Sequence, residues 1–227
     1  MSETSDCGLL LRRIAYGDTS LIVHLLTEKH GRIALMARGA RRQKSPFRAE
    51  LEPLHLLSLQ WKPGRSGMGT LVNIGRGKNL LDESKVMSGL ELMALAAVLF
   101  PEGSPHGYRE SLEAFHLLSE RSEAVGPAAA AWHLLRDGGW VGDMQQCWHC
   151  GRDIEKESMF WKQAELHCGC SQGGVEISAG LRKAIDAVCA SANISMAEPD
   201  LRLWYSMIQD VLRQHDVRAR INKPQGE

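Results

Sequence analysis

The feature that most constrains the fold is a change in hydrophobic periodicity near Asp82. Before Asp82, short apolar segments are separated by Gly, Pro and Asp residues, as β-strands usually are. These segments lie at residues 9–14, 21–26, 33–37, 51–61 and 70–74. After Asp82, apolar residues recur every three or four positions, which is the spacing of amphipathic helices. We therefore expect an α+β protein with the strands first and the helices second.

Five strands in about 75 residues predict a small barrel. The five-stranded oligonucleotide-binding (OB) fold belongs to this class, although the strand count alone also fits an SH3-like barrel. The second and third segments indicate a hairpin that turns at residues 27–31. We assign an OB-fold nucleic-acid-binding domain to residues 1–81 and a helical domain to residues 82–227.

Five helices are predicted, beginning near residues 86, 108, 127, 179 and 200. Proline near the start of the third, glycine after its end and Ser178 as the N-cap of the fourth are typical boundary signals. In the first helix, the spacing predicts one buried face. Its members are Val86, Leu90, Met93, Ala94 and Ala97.

The formal net charge of zero conceals a division between the two parts. Residues 1–81 contain 13 Lys and Arg against 6 Asp and Glu, a net +7. Residues 82–227 contain 14 against 21, a net −7. Between Lys29 and Leu81, eleven cations are accompanied by only two acids, Glu50 and Glu52. This concentration of positive charge predicts a polyanionic partner for the first domain.

Four of these cations lie within residues 38–44, directly after the predicted hairpin. Gly39 and Ala40 are small, so the backbone of this segment can approach a ligand closely. A solvated basic loop is the alternative interpretation. The candidate contacts to a nucleic acid are Arg32, Arg38, Arg41, Arg42, Lys44, Arg48, Lys62 and Arg65.

Aromatic residues are scarce in the predicted barrel. Residues 1–81 contain only Tyr16, Phe47 and Trp61. Since OB folds usually bind single strands by stacking bases on aromatic rings, few bases can be held in that way here. Phosphate contacts are therefore expected to supply most of the affinity, with tolerance of sequence and of strandedness.

The N-terminal segment is acidic and polar, unlike the basic and apolar start of a secretory signal. The longest apolar run, residues 90–100, contains Glu91 and is too short to span a bilayer. We therefore expect a cytoplasmic, nucleoid-associated protein without membrane contact. In a reducing compartment, its six cysteines are expected to be metal ligands or buried thiols rather than disulfides.

Four cysteines are clustered between the third and fourth predicted helices. Cys147 and Cys150 form one pair, and Cys168 and Cys170 form the second, within a knuckle that spans residues 145–175. This pattern predicts a structural zinc site with four thiolate ligands. The second pair has one intervening residue instead of two, so a Cys3His site that uses His167 in place of Cys168 stays open. The same spacing is also compatible with a metal-free knuckle, a disulfide or a redox pair.

Sequence motifs of common enzymes are absent. The chain has no G-x-x-x-x-G-K-[ST], H-E-x-x-H or G-x-S-x-G motif, and no deaminase H-x-E before a P-C-x-x-C. We therefore expect a binding protein without catalytic residues. Two different functional classes would share this composition, an RNA-binding barrel with a structural zinc knuckle and a nucleic-acid repair enzyme.

Residues 16–54 resemble the N-terminal signature of the RecO family of bacterial recombination mediators. The resemblance is carried by Tyr16-Gly17-Asp18, Leu26-Thr27-Glu28, Gly31-Arg32-Ile33, Ala37 through Arg42, Lys44-Ser45 and Glu52-Pro53-Leu54. The order of a small basic barrel, a helical domain and an inserted cysteine knuckle also matches that family.

The resemblance implies a recombination mediator in DNA repair. Such a protein has an N-terminal OB fold, binds single- and double-stranded DNA, anneals complementary strands and helps load RecA onto DNA coated with single-stranded DNA-binding protein. RecR, and RecF in some members, are the implied partners. The resemblance places DNA contacts on Arg38, Arg41, Arg42 and Lys44, and the knuckle on the four clustered cysteines.

A further partner implied by the resemblance is the acidic C-terminal tail of single-stranded DNA-binding protein. This tail ends in apolar residues, so it requires an apolar groove rimmed by cations. In the helical domain, the candidate rim residues are Arg109, Arg121 and Arg136. An ordinary solvated helix face is the alternative interpretation.

Overall fold

The N-terminal strands close into a five-stranded barrel. In this computed structural model, which describes residues 2–64, 67–190, 194–218 and 221, the chain divides into two units, Met1–Leu112 and Glu113–Glu227. The barrel strands are β1 (Thr4–Tyr16), β2 (Ser20–Thr27), β3 (Gly31–Ala37), β4 (His55–Lys62) and β5 (Gly69–Asn79). A short helix, α1 (Phe47–Glu50), lies between β3 and β4.

The barrel closes in the order β1-β2-β3-β5-β4, with β4 returning to β1. All neighbours are antiparallel except β3 and β5, which pair in parallel. This closed arrangement confirms the predicted five-stranded OB barrel at the start of an α+β chain. The predicted hairpin is also confirmed, since Leu21 pairs with Ala37 and Thr27 with Gly31.

Strand β1 is longer than the sequence pattern predicts. Its first half pairs with β4, from Thr4 opposite Trp61 to Gly8 opposite Leu57. Its second half pairs with β2, with a register shift between Leu10 and Arg12. One strand therefore serves two neighbours, because closing a small barrel requires a strand that bends from one side to the other.

Alternate residues of the strands fill the barrel interior, as period-two patterning requires. Val23 and Leu25 from β2, Leu35 from β3, and Leu57 and Leu59 from β4 are at most 1% exposed. Burial of aliphatic side chains at this level contributes about 1.5–3 kcal/mol each relative to full exposure. This core fixes the barrel surface on which the basic loop is mounted.

The helix α2 (Val86–Leu99) follows a short 3-10 turn at Glu83–Lys85. Its buried residues are Gly89, Leu92, Met93, Leu95, Ala96 and Leu99. The predicted buried face was wrong for Leu90 and Ala94, which are exposed, whereas Met93 is buried as predicted. A β-carbon on Gly89 would lie 2.4 Å from Leu81 Cδ1, so this glycine lets the helix approach its neighbours and selects the face that packs.

The second unit contains the remaining helices and a small sheet. The helices are α3 (Tyr108–Glu120), of which residues from 113 belong to this unit, α4 (Gly126–Asp137), α5 (Ala179–Cys189) and α6 (Glu198–Gln214). The predicted helix starts and the Ser178 cap are confirmed, since Ser178 Oγ accepts a hydrogen bond from Leu181 N at 3.1 Å. The strands β6 (Met159–Lys162), β7 (Glu165–His167) and β8 (Val175–Ile177) form an antiparallel sheet with β6 in the centre.

Helix α4 is buried on all sides from Gly126 to Leu135. A helix that is apolar around its whole circumference belongs in a core, which explains the run of four alanines at residues 128–131. Trp132 of α4 packs against Trp204 of α6 and Trp161 of β6, with ring centroids 6.3 and 6.4 Å apart. The sheet whose strand β7 ends directly before the second cysteine pair is thereby joined to the helical core.

Candidate nucleic-acid interface and metal centre

The predicted basic segment forms a structured loop between β3 and α1. Overlapping turns define it, with hydrogen bonds from Arg42 N to Gly39 O and from Ser45 N to Arg42 O, both 3.0 Å long. Ala40 is 2% exposed and belongs to the barrel core. The loop is therefore held against the barrel, and we call residues 38–48 the basic loop.

Arg41 ties the basic loop to the turn between β1 and β2. Its backbone N–H donates to Thr19 O at 2.8 Å, and its guanidinium Nη1 donates to Gly17 O at 3.0 Å. Both acceptors are neutral carbonyls, so the positive charge of Arg41 is oriented but not neutralised. This arrangement suits contact with an anion outside the barrel.

The cations of the basic loop are exposed and lack ion-pair partners within the described part of the chain. They are Arg38, Arg41, Arg42, Lys44 and Arg48. The two acids that directly follow the loop in sequence have other contacts: Glu50 Oε2 accepts from Arg76 N at 2.6 Å, and Glu52 Oε1 lies 3.5 Å from Arg13 Nη1. The loop consequently presents five charges that a polyanion can neutralise.

Two of the three remaining predicted contact residues, Arg32 and Lys62, have surroundings unlike those of the basic loop. Arg32 donates from Nη1 to Ala97 O at 2.5 Å and to Phe100 O at 2.9 Å, so its guanidinium caps the C-terminal end of α2. Burial lowers its pKa, as expected for a guanidinium partly removed from water. Lys62 is exposed and lies 3.5 Å from Glu3 Oε1. Arg65 lies outside the described residues.

The four clustered cysteines converge on one point in the second unit. Cys147 Sγ lies 3.7 Å from Cys170 Sγ, and Cys150 Sγ lies 3.6 Å from Cys168 Sγ. All four sulfur atoms lie within 4.8 Å of one another. A tetrahedral zinc ion with Zn–S bonds of about 2.3 Å requires sulfur atoms about 3.8 Å apart. The four cysteines can therefore hold a metal ion, and their spacing fits zinc.

Backbone N–H groups favour the thiolate at this centre. The N–H groups of Cys150 and Cys168 both donate to Cys147 Sγ at 3.4 Å. Burial alone would raise the pKa of Cys147, but these hydrogen bonds lower it to about 6. A thiolate is the form that ligates a metal, so the local backbone favours the ligand state.

The one-residue spacing of the second cysteine pair is accommodated by Gly169. Its φ of +81° is a left-handed conformation that suits glycine, and it directs both flanking cysteines to the same centre. His167 is not among the clustered ligands. It is 2% exposed, and its ring lies 6.3 Å from that of Phe160. This geometry favours the all-cysteine ligand set.

Sequence reasoning missed a buried arginine that organises the knuckle. Arg182 of α5 is fully buried and donates to the carbonyl oxygens of Met144 at 2.5 Å and of Ile154 and Glu157 at 2.8 Å. One side chain thus holds the loop that carries the first cysteine pair. A lone Arg between Leu181 and Lys183 gives no sequence signal of burial.

The predicted rim cations of the helical part have different surroundings. Arg109 is exposed. Arg121 is only 8% exposed, so it offers a partner little surface and does not form a rim. Arg136 is exposed, with Nη2 3.2 Å from His133 Nδ1 and Nε 3.6 Å from Asp137 Oδ1.

A second group of possible metal-binding side chains consists of Glu113, His133 and Asp137. His133 Nε2 lies 3.2 Å from Glu113 Oε2 and 3.3 Å from Asp137 Oδ2. On its other side, His133 Nδ1 lies 3.2 Å from Arg136 Nη2. The group is therefore explained as a polar network that joins α3 to α4.

Among the described residues, no helix combines the length and the apolar character needed to cross a membrane.

Comparison with known proteins gives a consistent family assignment. The family described as "Recombination protein O N terminal" matches residues 1–75, and "Recombination protein O C terminal" matches residues 81–222. A DNA repair protein RecO from Anaeromyxobacter sp. (strain K) is 30% identical over 240 residues, covering 95% of this chain and 92% of the relative. One from Pasteurella multocida (strain Pm70) is 32% identical over 169 residues, covering 72% and 70%. With a barrel and a helical part that both match, the chain belongs to the RecO family of DNA repair proteins.

Proposed function

We propose that this protein is a recombination mediator that binds single- and double-stranded DNA, anneals complementary strands and helps load RecA onto DNA coated with single-stranded DNA-binding protein. The observation that carries the proposal is the basic loop on the barrel, with five exposed cations and no neutralising acid among the described residues. Contacts of this kind go to phosphates, which both strand forms share.

Phosphate-based binding suits strand annealing. A protein that reads no bases leaves their Watson–Crick edges free to pair, while it offsets the repulsion between two polyanionic strands. Annealing is an exchange of non-covalent contacts, so the proposed role requires no catalytic residue. Its site of action is the chromosomal DNA of the cytoplasm.

RecR is the proposed protein partner, together with RecF where RecF is present, and the tail of single-stranded DNA-binding protein is the proposed docking peptide. The family resemblance supports proposing these partners. The acidic helical part, with a net charge of −7, is better suited to protein contacts than to DNA.

Zinc at the cysteine cluster has a structural role in this proposal. Four thiolates fill a tetrahedral shell and leave no position for water or substrate. Cys147, Cys150, Cys168 and Cys170 are the proposed ligands. Zinc supplies the cross-link that orders the loop between the two pairs.

The test is a titration of the purified protein with fluorescent single-stranded DNA, duplex DNA and RNA of one sequence, followed by annealing of two complementary strands. We expect binding to both DNA forms and faster annealing than without protein. A marked preference for RNA would instead indicate an RNA-binding barrel, and cleavage or other turnover of the DNA would indicate a repair enzyme.

A further inference from the structure

A pocket of 340 Å³ opens on the barrel beside the basic loop. Its floor includes Leu21 of β2, Phe47 of α1 and Leu51 directly after α1. Leu51 is 1% exposed, and Leu21 and Phe47 are partly buried against the barrel core. The floor is thus a part of the apolar core that reaches the surface, which makes it a rigid apolar wall.

Three arginines line the same pocket, namely Arg13, Arg41 and Arg48. Arg13 Nη1 donates to Leu51 O at 2.8 Å and lies 3.5 Å from Glu52 Oε1, so it is fixed in place and partly neutralised. Arg41 is oriented by the neutral carbonyl of Gly17. Arg48 has no ion pair within the described ranges. Two charges at the pocket are therefore available to an anion.

An apolar floor beside unneutralised arginines fits a ligand that combines a flat apolar surface with negative charge. A nucleotide has both properties, since its base offers a π-face and its phosphates accept from guanidinium groups. Pockets for small ligands begin near about 300 Å³, so there is room for one base and little more. Of the three barrel aromatics, Trp61 is buried and Phe47 lines this pocket.

We propose that this pocket binds one unstacked base of single-stranded DNA against Phe47, with the neighbouring phosphates on Arg41 and Arg48. In a duplex, every base is paired and stacked and does not reach the pocket. The arginine contacts serve both strand forms, whereas the base contact serves single strands alone. The inference rests on the proposed DNA binding and adds a source of preference for single strands.

The experiment compares three DNA ligands of equal length on the full chain: oligothymidylate, a strand with abasic residues at every position, and a duplex. Wild-type protein should bind the abasic strand at least about five-fold more weakly than oligothymidylate, the scale of one stacked base. Phe47→Leu keeps an apolar side chain but lacks the ring. In this variant, the ratio of oligothymidylate affinity to abasic-strand affinity, which we call the abasic ratio, should fall close to one. Its affinity for the duplex should be unchanged.

Two further variants separate the contributions. Arg48→Ala should weaken binding of all three ligands by a similar factor, because it removes a phosphate contact. Tyr16→Leu is the matched control, because Tyr16 is a barrel aromatic that is 55% exposed and lies outside the pocket lining. It should retain the full abasic ratio. Each ratio is measured within one protein sample, so partial unfolding of a variant does not change it.

An abasic ratio that stays the same in Phe47→Leu, or that falls only in Tyr16→Leu, would overturn the pocket assignment. An acidic peptide ending in an apolar residue provides a further test. Suppose that Phe47→Leu bound this peptide more weakly than wild type did but kept the wild-type abasic ratio. The pocket would then be a peptide site, and the inference would be wrong. Absence of any DNA binding by wild type would instead overturn the proposed function.

Discussion

Arginine side chains have two different surroundings in this protein. Arg32 and Arg182 direct their donors to backbone carbonyls inside the fold, where burial is compensated by several hydrogen bonds. Arg41, Arg42 and Arg48 lie at the surface without an acid partner among the residues that the structure describes. The sequence shows only that all five are basic. Which of them can reach DNA is decided by tertiary contacts.

Arg41→Ala combined with Arg42→Ala removes two exposed cations of the basic loop. This double variant should bind DNA of all sequences more weakly, because it loses phosphate contacts and no base contacts. Each lost contact should reduce the slope of log affinity against log salt by about 0.7 on single strands. Fluorescence titrations at four or more salt concentrations measure that slope.

Arg202→Ala is the matched control for that double variant. Arg202 lies on α6, is 66% exposed and is 3.9 Å from Glu198 Oε1, so its loss removes a surface cation outside the barrel. The control should keep the wild-type slope. An unchanged slope in the Arg41 and Arg42 variant would place the DNA-contacting surface elsewhere on the protein.

At the scale of elements, the barrel was more predictable than the first helix. Strands β2 and β3 have apolar residues bounded by turn signals, and the structure places both strands where these signals indicate. Helix α2 is apolar on nearly every side, so periodicity could not select its buried face. Packing through Gly89 selected that face, and a close approach between elements is not visible in sequence spacing.

The clustering of the four cysteines was predictable from the sequence, and the contacts that support the cluster were less so. Clustered cysteines indicate a possible site because two close pairs separated by a loop resemble the spacing of zinc ligands. The choice between Cys168 and His167 depended on the left-handed conformation of Gly169, and the anchoring by Arg182 depends on contacts more than 20 residues away in sequence. Such long-range contacts have no local signature.

The element-scale prediction is that Cys147→Ser loses about one equivalent of zinc and loosens residues 145–175. Trp148 and Trp161 pack edge to face with centroids 5.6 Å apart beside this segment, so tryptophan emission should change with metal loss. Metal analysis of protein purified without chelator gives the zinc content. The barrel is built without the knuckle, so most of the DNA affinity should remain.

His167→Ala is the companion variant for the choice of ligands. With four cysteine ligands it should keep its zinc, whereas a Cys3His site would lose it. If wild-type protein purified without chelator contained no zinc, the metal site itself would be contradicted. If Cys147→Ser lost as much DNA binding as the Arg41 and Arg42 variant, the knuckle would contribute to DNA binding. That result would contradict a purely structural role for the knuckle.

At the scale of the whole molecule, a net charge of zero is the sum of a +7 part and a −7 part. DNA and an acidic peptide both require positive charge, so both could in principle compete for the barrel. We propose instead that the tail of single-stranded DNA-binding protein binds to a surface outside the barrel. If the two ligands have separate sites, one molecule can bind the DNA of a coated strand and the single-stranded DNA-binding protein on that strand at the same time.

The whole-molecule prediction is that a peptide copying this tail binds in the micromolar range, roughly 7–9 kcal/mol, at the helical part of the chain. Its affinity should fall with salt, because salt screens the attraction between an acidic tail and exposed cations. Arg136→Glu, which reverses an exposed charge of the second unit, should weaken the peptide and spare naked DNA. Arg41→Ala with Arg42→Ala should weaken binding of naked DNA and leave binding of the peptide unchanged. If the peptide competed with DNA and lost affinity in the Arg41 and Arg42 variant, the barrel would bind both ligands and the helical part would serve as a scaffold.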